Sequence, residues 1–198
     1  MVDLIATPSH EQRLREIIAE TPWFMAALQA MNQLQLPSAC IGAGAVRNLV
    51  WDALHGYTVP SSLSDIDIAY FDAADLRPES EDKLQQQLQA MLPAAPWEVS
   101  NQARVHLWFE AHFGYAVPPL RSLEDAVASW PEYATSIGVS LAPDGAIAII
   151  APYGLEDLFN MVVRRNPVRV SVDGYASRVE QKRYHERWPR VTVIGMPD

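Results

Sequence analysis

Two aspartates separated by one residue, Asp65 and Asp67, lie in the alternating stretch Ser64-Asp65-Ile66-Asp67-Ile68-Ala69-Tyr70-Phe71. On a β-strand residues i and i+2 project from one face, so the two carboxylates lean together while Ile66 and Ile68 face the core. Two close anions repel unless a cation lies between them. Hard divalent cations take oxygen ligands, and Mg²⁺ is typically held by one or two carboxylates together with substrate phosphates. Two such ions roughly 3.5–4 Å apart activate an attacking oxygen and stabilise a leaving one, the chemistry of phosphoryl and nucleotidyl transfer. A two-ion site wants a third carboxylate from a neighbouring strand. Glu98 is the candidate, because alternation along Trp97-Glu98-Val99-Ser100 sets Glu98 and Ser100 opposite Trp97 and Val99; Asp72 is the weaker rival. The bland alternative is a pair of surface acids at a strand end.

A second group lies about twenty residues earlier. Gly42-Ala43-Gly44 joins a short apolar strand, Ala39-Cys40-Ile41, to a helical pattern over 45–54. A glycine turn at a helix N-terminus brings backbone N–H groups close to phosphate oxygens with no Cβ in the way, and Arg47 in the first turn adds a guanidinium. The same glycines serve equally for tight packing. Arg104 and His106 share a face of the strand expected over 103–109, where they line the pocket beside Glu98 or form a structural pair.

The elements that must position these groups follow from periodicity. Apolar residues at three- and four-residue steps predict two helices between Glu11 and Leu36, broken at Thr21-Pro22. A strand is predicted over 64–71, a helix over 79–92, and strands over 97–100 and 103–109. Beyond Pro118-Pro119 the pattern predicts a short helix from Ser122, strands over 135–141 and 146–150, helices over 155–165 and 177–188, and a strand over 191–194. Strands alternating with helices indicate an α+β (mixed α/β) chain with a central mixed sheet and flanking helices. Three segments are expected to pack as one unit: N-terminal helices 1–36, a catalytic core 37–115 and a C-terminal α/β extension 116–198.

Composition narrows the classes. The chain has 198 residues, 49% hydrophobic, with 15 basic and 24 acidic side chains, a net charge of −9 and one cysteine. A chain of this length removes roughly 70% of its extended-state surface from water, so it needs neither disulfides nor structural metal. The acidic balance argues against broad charge-driven nucleic-acid binding, yet leaves room for a nucleotide pocket with a few local cations. Those are concentrated in 151–198, which is net positive where 1–150 is strongly acidic. The histidines and Cys40 show no zinc spacing. Met1-Val2-Asp3-Leu4-Ile5-Ala6 lacks a basic lead, and no apolar run reaches membrane length, so a cytoplasmic protein is expected.

Ile41-Gly42-Ala43-Gly44-Ala45-Val46-Arg47-Asn48 followed by Ser64-Asp65-Ile66-Asp67 resembles the glycine motif and paired acids of the DNA polymerase β nucleotidyltransferase superfamily, and Gly44 to Asn48 is similar to the GGxVRD pattern of tRNA nucleotidyltransferases. With Trp51-Asp52, His55-Gly56, Asn101-Gln102-Ala103-Arg104-Val105-His106, the stretch 151–159 and Arg187-Trp188-Pro189, the chain looks like a bacterial nucleotidyltransferase-like family over roughly 36–194. The resemblance implies a polymerase-β-type fold. It implies Asp65, Asp67 and Glu98 as catalytic metal ligands for Mg²⁺, or Mn²⁺, and Gly42 and Gly44 as the phosphate turn. Ala43, Arg47, Asn48, Ser64, Arg104 and His106 join them as nucleotide-binding residues. Ala45 stands where the superfamily has serine, and Asn48 where GGxVRD has its acid. The expected reaction moves a nucleoside monophosphate from an NTP to an acceptor with release of pyrophosphate, and the acidic chain favours a small molecule or protein acceptor over nucleic acid. Two other readings use the same residues: a nucleotide sensor without catalysis, and a dinucleotide-binding domain with Asp65 as its ribose acid.

Overall fold

The structure is a computed structural model and describes residues 8–196. The reading of Met1 to Ala6, and the first residues of the segment 1–36, lie outside the described residues.

Ser9 opens α1 (His10–Ala19) with a reciprocal cap: its hydroxyl accepts from the Gln12 N–H while the Gln12 side chain accepts from the Ser9 N–H. Pro22 starts α2 (Pro22–Gln33), where its missing N–H costs nothing. The chain then forms β1 (Ala39–Gly42), α3 (Ala43–His55), β2 (Ile66–Tyr70), α4 (Pro78–Met91) and β3 (Trp97–Asn101). The sheet order is β3-β2-β1-β4-β5, with β4 at Gly138–Leu141 and β5 at Ile147–Ile150. β2 and β3 run parallel across α4, whereas β1 pairs antiparallel with both β2 and β4. The mixed sheet matches the expected fold class. An antiparallel β1–β2 pair is not the parallel strand-helix-strand unit of a dinucleotide fold, so that reading is withdrawn.

Alternation divides the sheet into two unlike faces. Ile41, Ile66, Ile68, Val99 and Val139 enter the main core with α1 to α4, together with Phe24, Leu28 and Trp51. The opposite face is thin: Cys40 and Ala69 are covered by Leu123 and Val127 of α6 (Leu123–Ala128), with Trp130 alongside. Two glycines make that cover possible. A Cβ at Gly138 would come 2.5 Å from the Cys40 sulfur, and one at Gly42 would come 2.3 Å from the Trp130 ring. The Cys40 thiol, fully buried here, is pushed up to about 12, first by burial and then by the charge of Asp67.

Four predicted elements differ, one of them the helix expected over 177–188, which starts earlier, at Val172, and breaks at Arg183. Residues 103–109 are not a strand: after a 3₁₀ turn at Gln102–Arg104 the chain enters α5 (Val105–Phe113). The Asn101 side chain accepts from the Ala103 N–H and donates to the carbonyls of Asp72 and Asp75, which stops β3 and starts the turn. Its apolar run misread because aromatic and β-branched residues carry strand propensity that a tertiary contact overrides. The expected helix over 155–165 is only α7 (Glu156–Phe159). Met161, at φ 55°, ends it, and Val162–Arg164 forms β6, parallel to β7 (Thr192–Ile194). Likewise β4 begins at Gly138, after a 3₁₀ turn at Tyr133–Thr135.

The remaining elements, α8 (Val172–Lys182) and α9 (Tyr184–Arg187), belong to the cationic tail. Their anchor is Asp52 on α3. Its carboxylate accepts from the Ser61 N–H at 2.7 Å, the Ser61 hydroxyl at 2.6 Å and Nε1 of the fully buried Trp188 at 2.7 Å. Trp51 reciprocates by donating to the Leu158 carbonyl at 2.8 Å. Replacing Asp52 by Ala strands a buried indole N–H, so D52A is expected to lose about 2–4 kcal/mol in urea unfolding, with the tail loosening first under limited proteolysis.

Candidate active site

Asp65 immediately precedes β2 and Asp67 is its second residue. In the parallel ladder Asp67 stands opposite Glu98, and Ala69 opposite Ser100. Because the neighbours Ile66, Ile68, Trp97 and Val99 are buried in the main core, Asp67 and Glu98 emerge together on the thin face. There they border a cavity of about 730 Å³, whose wall continues through Ser100, Trp130 and Arg178. A smaller hollow of about 200 Å³ adds Ala43 to the same group. Ser64 donates its hydroxyl to Asp65 at 2.9 Å.

Crowded carboxylates leave an electrostatic signature. Burial, then the charges of Asp65 and Glu98, push the Asp67 carboxyl up to about 7, against the pull of Arg178 and Lys182. Lys182 is held below its usual range by burial and by the guanidinia of Arg178 and Arg47, with Asp65 and Glu132 opposing. A cluster of acids thus faces a cationic pair on α8. Next to it Ser64, Lys182, Arg183 and Arg187 line a second cleft of about 450 Å³.

A family profile described as Nucleotidyltransferase matches residues 29–193. The chain belongs to this nucleotidyltransferase family. Among solved structures the chain is similar to a protein whose NMR structure reveals a CCA-adding enzyme head domain: 29% identity, 93% of this chain and 96% of that chain covered, TM-score 0.79. In fold alone it is similar to the Thermotoga maritima CCA-adding enzyme complexed with tRNA, at 15% identity, 92% of this chain, 42% of that chain and TM-score 0.53. A CCA-adding enzyme in complex with ATP gives 13% identity, 92%, 43% and 0.54. The chain therefore spans less than half the length of those two enzymes. No curated protein matches it.

Nucleotidyltransferases of this kind generally use divalent metals. Among the described residues no three His, Cys, Asp or Glu side chains are gathered into a ready-made ligand cage. The donor chemistry nevertheless fits a hard dication. Burial first, and then the neighbouring acids Asp65 and Glu98, raise the Asp67 carboxyl despite Arg178 and Lys182, an environment that a dication would relieve.

The other nucleotide-binding expectations separate. Ala43 reaches the hollow in a left-handed conformation, φ 49°, with its N–H donated to the Ile137 carbonyl at 3.3 Å. Gly42 lies under Trp130, so packing by itself requires glycine there; at Gly44 a Cβ would meet only the Arg47 Nη2 at 3.7 Å. Arg47 does not extend from the turn. It is 2% exposed, donates to the buried Asn48 side chain at 2.8 Å, and its guanidinium carbon stands 5.5, 5.2 and 5.6 Å from the rings of Trp51, Tyr184 and Trp188. Arg104 and His106 do not share a strand face beside Glu98. Arg104 is in the 3₁₀ turn, paired with Glu81 at 2.6 Å and donating to the Leu76 carbonyl, and His106 is in the first turn of α5. Asp72 caps the following turn through the Ala74 N–H.

Residue-level reading of the sequence missed Arg178 and its partner Glu132. Glu132 is 1% exposed and accepts from Arg178 Nε at 2.6 Å, the Tyr184 hydroxyl at 2.8 Å and the Thr135 hydroxyl at 3.0 Å. Burial pushes Glu132 up, but the charge and hydrogen bonds of Arg178, with Arg47 and Tyr184, outweigh it and hold the carboxyl below its ordinary range. The available signal was the spacing of Arg178 and Lys182, four apart on one helical face of the positive tail.

Two outcomes are expected. E132A leaves the Arg178 guanidinium without its buried counter-charge and is expected to cost about 3–5 kcal/mol in denaturant unfolding, against about 1 kcal/mol for Y184F. D67N is expected to stabilise the metal-free protein. The folded-state value of Asp67 lies above its unfolded one, so the native state holds the extra proton between about pH 4 and 7 and stability falls as pH rises through that window. The gain in stability is therefore larger at pH 8, where it reaches roughly 2–4 kcal/mol, than at pH 4.5, where about 1 kcal/mol or less remains.

Proposed function

We propose that the chain transfers a nucleoside monophosphate from an NTP to an acceptor, with Asp65, Asp67 and Glu98 as the catalytic acids. The observation that carries this reading is the Asp67–Glu98 register, which puts two carboxylates on one cavity wall facing Arg178. Mg²⁺, or Mn²⁺ in its place, would be held by Asp65 and Asp67 with Glu98 completing the set, and would supply Lewis-acid polarisation of the transferring phosphate.

The chain's own residues account for the rest. Glu98, more exposed than Asp67, takes the proton of the acceptor hydroxyl. Arg178, locked by Glu132, and Lys182 neutralise the charge that develops on the leaving pyrophosphate, and their fixed placement spares reorganisation during the reaction. The first N–H groups of α3, at Gly44 and Ala45, have no acceptors within the helix and suit a phosphate oxygen. Ser64 orients Asp65. Arg47 and Asn48 act through packing, holding α3 and α9 together. In this arrangement the core 37–115 supplies acids and turn, the extension 116–198 supplies cations, and the NTP donor is the cytoplasmic one. Among the described residues no helix is long and apolar enough to cross a membrane.

Thermal unfolding with each NTP, with and without Mg²⁺, tests the reading. Ligand at about 100 times its Kd should stabilise wild type by about 2.7 kcal/mol, roughly 5–10 °C. The shift should need Mg²⁺ and vanish in the D65A/D67A variant, whose own fold is expected to persist because removing crowded carboxylates relieves their mutual repulsion. A shift that survives EDTA, with no pyrophosphate released, would identify a nucleotide sensor instead.

A further inference from the structure

The acids occupy only one part of the 730 Å³ cavity. Away from them its wall is aromatic, formed by Trp108, Phe109 and Phe113 of α5 together with Tyr115. These rings pack on one another: Phe109 is 4.4 Å from Phe113 and 5.3 Å from Tyr115, centroid to centroid. One cation stands among them. Arg169 lines the same cavity, is 8% exposed, and lies with its guanidinium carbon 5.7 Å from the Phe109 ring. Its Nη2 donates to the Pro118 carbonyl, and the Tyr115 hydroxyl donates to its own carbonyl, so both side chain and backbone are pinned. Its Nη1 is buried with no hydrogen-bond acceptor. Burial holds the guanidinium below its ordinary range, and Tyr115 is the one influence opposing that; no carboxylate contributes.

A buried guanidinium left without an anion is expensive, since its desolvation is uncompensated. Arg178 meets the rule with Glu132 and Arg104 with Glu81, and the fully buried Arg47 is compensated by three ring faces and the Asn48 side chain. Arg169 has one ring and a buried Nη1 with no acceptor, and it borders the cavity that also carries Asp67 and Glu98. Aromatic walls with one convergent charge are the build of a small-molecule site, and the volume falls within the usual range for one, roughly 300–1,000 Å³. The run of cations that a nucleic-acid backbone would follow, Lys182, Arg183 and Arg187, lines the neighbouring cleft and not the aromatic part of this cavity.

We infer that this cavity receives the acceptor, and that the acceptor is a small anion with an aromatic or apolar body and a hydroxyl group. The inference rests on the nucleotidyl-transfer reading of Asp65, Asp67 and Glu98. The carboxylate or phosphate of the acceptor pairs with Arg169, its body lies on Phe109 and Phe113, and its hydroxyl points to Glu98. The hydroxyl oxygen bonds to the α-phosphorus of the NTP, the α–β phosphoanhydride bond breaks, and pyrophosphate departs with the bonding pair. The hydroxyl proton passes to Glu98 and on to water. Arg169 is a specificity residue, binding the acceptor without touching the reacting atoms.

Fluorescence titration of the full chain with 2-naphthoate, 2-naphthyl phosphate and the neutral 2-naphthamide tests the site without any variant. Either anion is expected to bind at least tenfold more tightly than the amide, and the ratio of the two anions tells carboxylate from phosphate recognition. In R169M that preference should collapse to within about twofold, while Mg²⁺-dependent stabilisation by NTP persists. Equal binding of anion and amide by wild type, or an undiminished preference in a folded R169M, overturns the proposal. So does displacement of 2-naphthoate by a short RNA with a 3′-hydroxyl but not by inorganic phosphate, which would assign the cavity to a nucleic-acid end. If anion preference depends on Arg169 but wild type shows no response to any NTP, the transfer reading fails, and the acceptor role with it, leaving only an anion site.

Discussion

One buried carboxylate organises this molecule. Glu132 sits where the segment after α6 turns toward β4, and its charge is compensated by Arg178 and Tyr184, residues of the two tail helices. A charge removed from water must find its partners within the protein, so folding the sheet and docking the tail are one event. Tyr184 also faces Arg47 on α3, at 3.5 Å from its Nη1, and through Arg47 reaches the aromatic box of Trp51 and Trp188. The same network that closes the core therefore aims the Arg178 guanidinium at the acids of β2 and β3.

The sheet's two faces divide labour along the same line. One is saturated by α1 to α4 and supplies stability. The other is covered only where Gly42 and Gly138 let Trp130 and Cys40 lie flat, and the uncovered part of it is the cavity. Asp67 and Glu98 are placed there by simple alternation, at a cost in mutual repulsion that the folded chain carries in its raised Asp67 carboxyl. Stability and chemistry pull against each other at that residue. A site built to attract cationic or phosphate-bearing ligands is destabilised when empty of counter-charge, and the compact core on the far side offsets it.

Alternation, helical period and turn chemistry act over a few residues, so they were legible directly. The strand of Asp67, the glycine turn into α3, α4 between its two prolines and the mixed α/β class all follow from local rules, and the motifs resemble those of the nucleotidyltransferase family. The motif residues Trp51, Asp52 and Trp188 make the hydrogen bonds that fasten the tail. What local rules could not decide was anything set by a distant partner. Asn101 diverts 103–109 from strand to helix by bonding back to the Asp72–Asp75 turn, which removes Arg104 and His106 from the face of Glu98. Arg47 reads as a phosphate ligand in sequence, yet folds into an aromatic box, because the faces of three rings brought from 51, 184 and 188 offset the cost of its desolvation. Nothing local in the sequence singles out Arg178 among the tail cations; it faces the acids because Glu132, 46 positions earlier, is buried beside it and holds it there. Local patterning specifies the paired acids on their strand, the glycine turn and the resemblance to the family. The tertiary structure alone decided which cations face the acids and which stay unpaired, because a charge's role depends on the dielectric and partners around it, and those are assembled only when the chain closes.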